Sequence, residues 1–126
     1  MRVYIAHSRE FDYVKELYEP LRRDETLSKY DLILPHEADD NSCNPREFYK
    51  DIDVVIAECS YGSTGLGIEL GFAYDDETPI YCLYRSGARF SNAIRAVSDK
   101  FYEYGSAEEL VEIVREILMS FKKEKR

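Results

Sequence analysis

Residues 53–57 read Asp-Val-Val-Ile-Ala, and the four apolar residues run without alternation. A strand with one wet face alternates apolar and polar side chains, whereas an unbroken run belongs to a strand covered on both faces. That arrangement is typical of parallel sheets flanked by helices. The flanking sequence supplies the matching elements. Residues 2–6 and 31–34 form further β-rich runs, as do 79–84 and 101–104. Between the first two, Phe11, Val14, Leu17, Tyr18 and Leu21 recur at helical spacing through residue 22, with Pro20 placed to bend or end that helix. A second helix is expected from Leu66 to about Asp75, and a loop with a short helix over 86–95. Ser106 stands at a cap position with Glu109 three residues on, ahead of a stripe of Leu110, Ile113, Val114, Ile117 and Leu118.

Strands alternating with helices predict one α/β domain over residues 1–126. Its expected core is a doubly wound, Rossmann- or flavodoxin-like five-stranded parallel sheet with helices on both faces. Ligands of such sheets sit beyond the carboxyl ends of the strands, where strand order reverses. This directs attention to His7-Ser8, Pro35-His36, residues 58–67 and residues 85–91. Residues 37–45 are polar and turn-rich and read as a loop with little apolar surface to anchor it.

Charge narrows the partners. The formal net charge is −8, and the one basic cluster is the tail at 122–126. Nucleic-acid polymers draw much of their affinity from basic stripes, so they are excluded as partners, while a small anion held by local dipoles is not. No apolar run approaches the roughly 20 residues of a membrane span, and residues 1–5 read as a strand rather than a secretory leader, so a cytosolic protein is expected. Cys43, Cys59 and Cys82 are too scattered for a disulfide framework, and with His7 and His36 as the only histidines no metal site is expected. No organic cofactor is implied either.

The stretch with the most chemistry is 57–71, Ala-Glu-Cys-Ser-Tyr-Gly-Ser-Thr-Gly-Leu-Gly-Ile-Glu-Leu-Gly. It follows the buried strand and opens a helix, so its backbone N–H groups face a bound anion or sugar hydroxyl, and Gly65 and Gly67 allow close approach. The glycine spacing is not that of the dinucleotide fingerprint. Glu69 lies between Ile68 and Leu70 near the helix start. Two readings stand level: a carboxylate complementing the helix dipole, or an ionised nucleophile of the kind that attacks an anomeric carbon.

The runs 53–58 (Asp-Val-Val-Ile-Ala-Glu) and 63–71 (Ser-Thr-Gly-Leu-Gly-Ile-Glu-Leu-Gly) resemble the nucleoside 2-deoxyribosyltransferase superfamily, and the 2'-deoxynucleoside 5'-phosphate N-hydrolase branch in particular. The likeness continues through Val3-Tyr4-Ile5-Ala6-His7-Ser8, Leu34-Pro35-His36-Glu37, Cys82-Leu83-Tyr84-Arg85, Ser86-Gly87 and Ser91-Asn92-Ala93-Ile94-Arg95. It implies that Glu69 is the nucleophile of a covalent deoxyribosyl intermediate and that Tyr4 lies beside the sugar. It further implies that Ser8, Ser63 and Ser91 hold a 5'-phosphate and that His36 faces the nucleotide. By the same resemblance Ser91 reaches a neighbouring subunit's site, which implies a homodimer.

The implied activity is cleavage of the base–deoxyribose bond of 2'-deoxynucleoside 5'-monophosphates. A deoxyribosyltransferase exchanging bases and a non-catalytic nucleotide-binding domain are the alternatives. Ser63 favours the first: the transferase branch has an aspartate at this position, six residues before the nucleophile, and its charge would repel a phosphate. One position departs from the pattern. The superfamily aspartate expected eight residues before Asp53 is Pro45, leaving Asp39, Asp40, Glu47 and Asp51 as substitute carboxylates; Asp53 and Glu58 read as structural.

Overall fold

The computed structural model describes residues 1–37 and 51–124, with side chains through Phe121. Most of the predicted 37–45 loop, Cys43, Pro45, Asp39, Asp40 and Glu47 therefore lie outside the described residues. In chain order the elements are β1 (Arg2–His7), a π-helical turn (Val14–Tyr18), α1 (Glu19–Arg23), a 3-10 turn (Leu27–Lys29) and β2 (Asp31–Ile33). They continue with β3 (Val54–Glu58), α2 (Thr64–Asp75), β4 (Ile80–Arg85), a second 3-10 turn (Asn92–Ala96), β5 (Phe101–Tyr104) and α3 (Ala107–Glu124).

The sheet order is β2-β1-β3-β4-β5, and every pairing is parallel, as the unbroken apolar run of β3 requires. All five β3 residues are buried. Successive side chains leave the strands on opposite faces, so the sheet feeds two cores. Val3, Ile5, Val54, Ile56, Tyr81 and Leu83 pack with Leu17 and Leu21 of the first helical segment and with Leu110, Val114, Ile117 and Leu118 of α3. Tyr4, Ala6, Val55, Ala57, Ile80 and Cys82 pack with Leu66, Leu70 and Ala73 of α2. Cys59 and Cys82 are buried free thiols in this second core. At the start of α3 the Ser106 hydroxyl accepts the Glu109 N–H at 3.2 Å, as the capping pattern predicts. Among the described residues no helix is long and apolar enough to cross a membrane.

The first helical segment differs instructively from its sequence pattern. Pro20 occupies the first turn of α1, where its missing N–H costs no helical bond, so the helix neither ends there nor runs on unchanged. The preceding turn widens, and the Glu19 N–H bonds back five residues to the Val14 carbonyl. A π turn holds an extra residue and shifts the phase of everything before it. Leu17, Tyr18 and Leu21 stay buried, but Val14 is rotated out to 48% exposure, against its place in the predicted stripe. Accordingly, Leu17→Ala should destabilise the fold by about 2–5 kcal/mol, whereas Val14→Ala should change it by less than about 0.5 kcal/mol. Urea titration measures both, and equal losses would mean that Val14 belongs to the core.

Candidate active site

Strand order reverses between β1 and β3, and their register sets His7 beside Glu58 at the carboxyl edge. Both side chains are buried ionisable groups, 5% and 2% exposed, so each must find partners nearby. Glu58 Oε1 accepts the Ser60 N–H at 2.6 Å, while Oε2 accepts the Ser60 hydroxyl at 2.8 Å and the Tyr104 phenol. Ser60 Oγ in turn accepts the Arg85 N–H at 2.7 Å. Burial pushes the Glu58 carboxyl above the usual carboxylate range, and the Tyr104 and Ser60 bonds oppose that rise. Glu58 thus ties the carboxyl ends of β3, β4 and β5 together, in keeping with the structural role read for it.

His7 is satisfied on the other side. Its Nδ1 lies 2.7 Å from the Ser8 carbonyl, which can only accept, so Nδ1 carries the proton. Burial, reinforced by the charges of His36 and Arg9 and opposed by the Ser8 bond, pushes the imidazole down to about 4. It is therefore neutral at pH 7, and Nε2 accepts the Tyr18 hydroxyl at 2.6 Å. The same Tyr18 oxygen accepts the His36 N–H at 3.0 Å. Burial raises the Tyr18 phenol well above its usual range; the His36 bond opposes the rise, and the charges of Tyr13, Glu37 and Glu69 add to it. Burial and the Arg9 charge lower His36 as well.

Glu69 itself corrects one expectation. The helix begins at Thr64 rather than Leu66, so Glu69 falls in the second turn and the first turn holds no acidic residue. The helix-dipole effect fades beyond the first turn, which removes the dipole-complementing reading. The side chain is half-buried and its Oε2 is shut off from solvent. Ser63 caps the helix with extended backbone, its Oγ accepting the Leu66 N–H at 3.1 Å. A hydroxyl that accepts in this way keeps its own proton free to donate. At Gly65 and Gly67 an added Cβ would meet nothing within 4 Å, so packing does not demand glycine there and the space above the helix start is open.

The remaining predicted residues distribute unevenly. Tyr4, 5% exposed, sits in the α2-side core with Leu66 and Leu70. Ser8 is 1% exposed, and its Oγ accepts the Glu10 N–H at 3.0 Å. The His36 ring stands 5.4 Å from His7. Ser91 is exposed and caps its own 3-10 turn through the Ala93 N–H at 3.2 Å. Among the described residues no hydrogen bond joins it to Ser8, Ser63 or Glu69. Asp51 is removed as a substitute carboxylate: it is exposed and lies 3.8 Å from Arg2, at the amino end of β1, across the sheet from Glu69. Asp53 accepts the Arg2 N–H at 2.8 Å at that same edge and is structural.

Sequence reasoning missed the aromatic wall. His7, Phe11, Tyr13, Tyr18 and His36 contact one another, and Phe11 stacks on Tyr61 at 4.7 Å and 12°, bridging the loops after β1 and β3. Arg85 braces that bridge, bonding the Tyr61 hydroxyl at 2.8 Å and Glu16 at 2.8 Å. A cavity of about 530 Å³ lined by Ser60, Tyr61, Arg85, Ser86 and Tyr104 adjoins it. The position of His7 directly after a buried strand was the available signal; Tyr18 hid in an apolar helical stripe.

Two relatives match part of the chain. A mouse 5-hydroxymethyl-dUMP N-hydrolase is 45% identical over 64 residues, covering 48% of this chain and 37% of its own. A Tetraodon nigroviridis 5-hydroxymethyl-dUMP N-hydrolase is 36% identical over 81 residues, covering 61% and 57%. The resemblance read from the sequence is borne out. The chain thus spans well under two thirds of the length of either relative. No family model matches. Among solved structures, a Clostridium botulinum CMP N-glycosidase superposes with TM-score 0.62 at 23% identity, over 90% of this chain and 98% of that one. A conserved Enterococcus faecalis protein superposes with TM-score 0.62 at 18% identity, over 89% and 95%. These two share the α/β fold.

The His7 environment yields a pH prediction. An imidazole held below its unfolded value binds fewer protons in the folded state, so its contribution to stability is present above about 6.5 and is lost as pH falls through about 4. By NMR the His7 ring should titrate near 4. The stability lost on His7→Phe should shrink as pH is lowered across that window, and a gap independent of pH would contradict the burial of a neutral ring.

Proposed function

We propose that the chain hydrolyses the N-glycosidic bond of 2'-deoxynucleoside 5'-monophosphates, releasing the free base and deoxyribose 5-phosphate. The observation that carries this reading is the position of Glu69, half-buried about one turn past the serine-capped start of α2 at the carboxyl edge of the sheet. Glu69 attacks C1' as the base departs, forming a deoxyribosyl ester; water then attacks C1' and frees Glu69. Tyr4, packed under α2, flanks the sugar. The Ser63 hydroxyl, Ser8 and the first N–H groups of α2 take the phosphate. A serine rather than an aspartate at 63 supports a phosphorylated substrate, as do two relatives and a structural neighbour named for nucleoside monophosphates.

The group that protonates the leaving base belongs, on this reading, to Asp39, Asp40 or Glu47, since Asp51 stands at the opposite edge. Ser91, exposed and capping its own 3-10 turn, would reach the site of a second copy in a homodimer. Free rather than paired Cys59 and Cys82 are consistent with a cytosolic setting.

Incubation with deoxynucleosides and deoxynucleotides, with free base followed by chromatography, tests the proposal. Base released from monophosphates without a second base supports it. Exchange that needs an added base would make the chain a transferase, and binding without turnover would make it a nucleotide-binding domain. Glu69→Ala should lower kcat on the order of a thousandfold or more while the fold persists. Ser63→Ala should raise KM for a monophosphate by about tenfold, the scale of one charge-assisted hydrogen bond. Equal losses on the unphosphorylated nucleoside would place Ser63 elsewhere.

A further inference from the structure

The start of α2 is poorly equipped to hold itself in place. Of residues 64–68 only Leu66 is buried, and Gly65 and Gly67 each weaken the first turn. Ser63 caps that turn through the Leu66 N–H at 3.1 Å, and its carbonyl accepts the Gly67 N–H at 3.2 Å. The loop before it is held from elsewhere. Arg85, at the end of β4, grips two adjacent residues of the loop. Its backbone N–H donates to Ser60 Oγ at 2.7 Å, and its Nη1 donates to the Tyr61 hydroxyl at 2.8 Å. The same Nη1 pairs with Glu16 at 2.8 Å, and the Tyr61 ring stacks on Phe11 at 4.7 Å. Gly62 alone separates this grip from the Ser63 cap; it is exposed, and a Cβ added there would meet nothing within 4 Å.

We infer that Arg85 is a positioning residue for the phosphate end of the site: by gripping Tyr61 it steadies Ser63 and the first N–H groups of α2. This rests on the glycosidase reading above. The grip comes from the other face of the sheet. Val54 and Ile56 point into the core beneath α3, whereas Val55, Ala57 and Cys59 point into the core beneath α2. Glu58 continues the first set and bonds Tyr104 of the α3-side core, against which Phe11 also packs. The loop is thus tied down on the α3 side, while the helix it feeds lies on the α2 side. Ser60, Tyr61, Arg85 and Tyr104 line a cavity of about 530 Å³, so hydrogen bonds rather than close packing hold the loop along that side. The Arg85 side chain is 46% exposed, and screened pairs of this kind add little to overall stability. Its effect is on the place of the loop.

Arg85→Ala removes the side-chain arm and leaves the backbone bond to Ser60, so the fold persists. On whichever monophosphate the wild type cleaves, it should raise KM about fivefold, the scale of one hydrogen bond, with kcat unchanged. On the unphosphorylated nucleoside neither constant should move. Tyr61→Phe keeps the stack on Phe11 and loses only the hydroxyl. It should reproduce the rise in KM, and joining it to Arg85→Ala should add nothing further. An unchanged KM, equal losses with and without the phosphate, or losses that multiply in the double variant would overturn the inference. If the wild type cleaves no monophosphate, the functional reading fails on its own. The positioning is still read without substrate, by hydrogen exchange of the Leu66 and Gly67 amides that bond to Ser63. Exchange about fivefold faster at these two in both single variants, with α3 unchanged, agrees with it. Wild-type exchange there contradicts it.

Discussion

The pairing of β1 with β3 is the constraint from which the rest follows. It sets two ionisable side chains, His7 and Glu58, side by side at the buried carboxyl edge of the sheet. Desolvating either costs several kcal/mol unless its polar atoms are satisfied. The chain answers by turning in opposite directions: His7 reaches toward Ser8 and Tyr18, and Glu58 toward Ser60 and Tyr104. Those bonds determine where the loops after β1 and β3 can go.

The division of labour at that edge is clear in the chemistry. Glu58 is the more buried carboxylate, but its oxygens are committed to Ser60 and Tyr104, and its proton affinity is raised by burial. A carboxylate so occupied makes a poor nucleophile. Glu69 is less buried, sits below the open start of α2 and lies past the reach of the helix dipole, so its placement is not explained by local helix electrostatics. Of these two acidic groups near the switch point, Glu58 builds the scaffold, and Glu69 is the one proposed to react.

Much of the fold was legible because it rests on periodicity and local capping. The apolar run at 54–57 announced a doubly covered strand, and Ser106 with Glu109 announced the last helix. Val14 was misplaced because nothing in a 3.6-residue pattern reveals that a π turn before Pro20 will shift the phase. The start of α2 was set two residues late because Thr64-Gly65 carries no apolar signal; the Ser63 cap was the better guide. Glu69 and Ser63 stood out in the sequence through their motif. The bond between His7 and Tyr18 did not, because it joins a strand and a helix eleven residues apart. Asp51 could be discarded only once the sheet showed which edge it occupies.

The account turns on a covalent bond between Glu69 and the sugar. A deoxynucleoside monophosphate carrying fluorine at C2' slows both halves of such a reaction, because the electron-withdrawing atom destabilises the oxocarbenium-like transition states. The protein is incubated with it, digested and analysed by peptide mass spectrometry. The account predicts a deoxyribosyl-phosphate adduct on the peptide containing Glu69, formed as base is released. Base release with the adduct on a different residue, or with no covalent species under conditions that trap the ester, would contradict it.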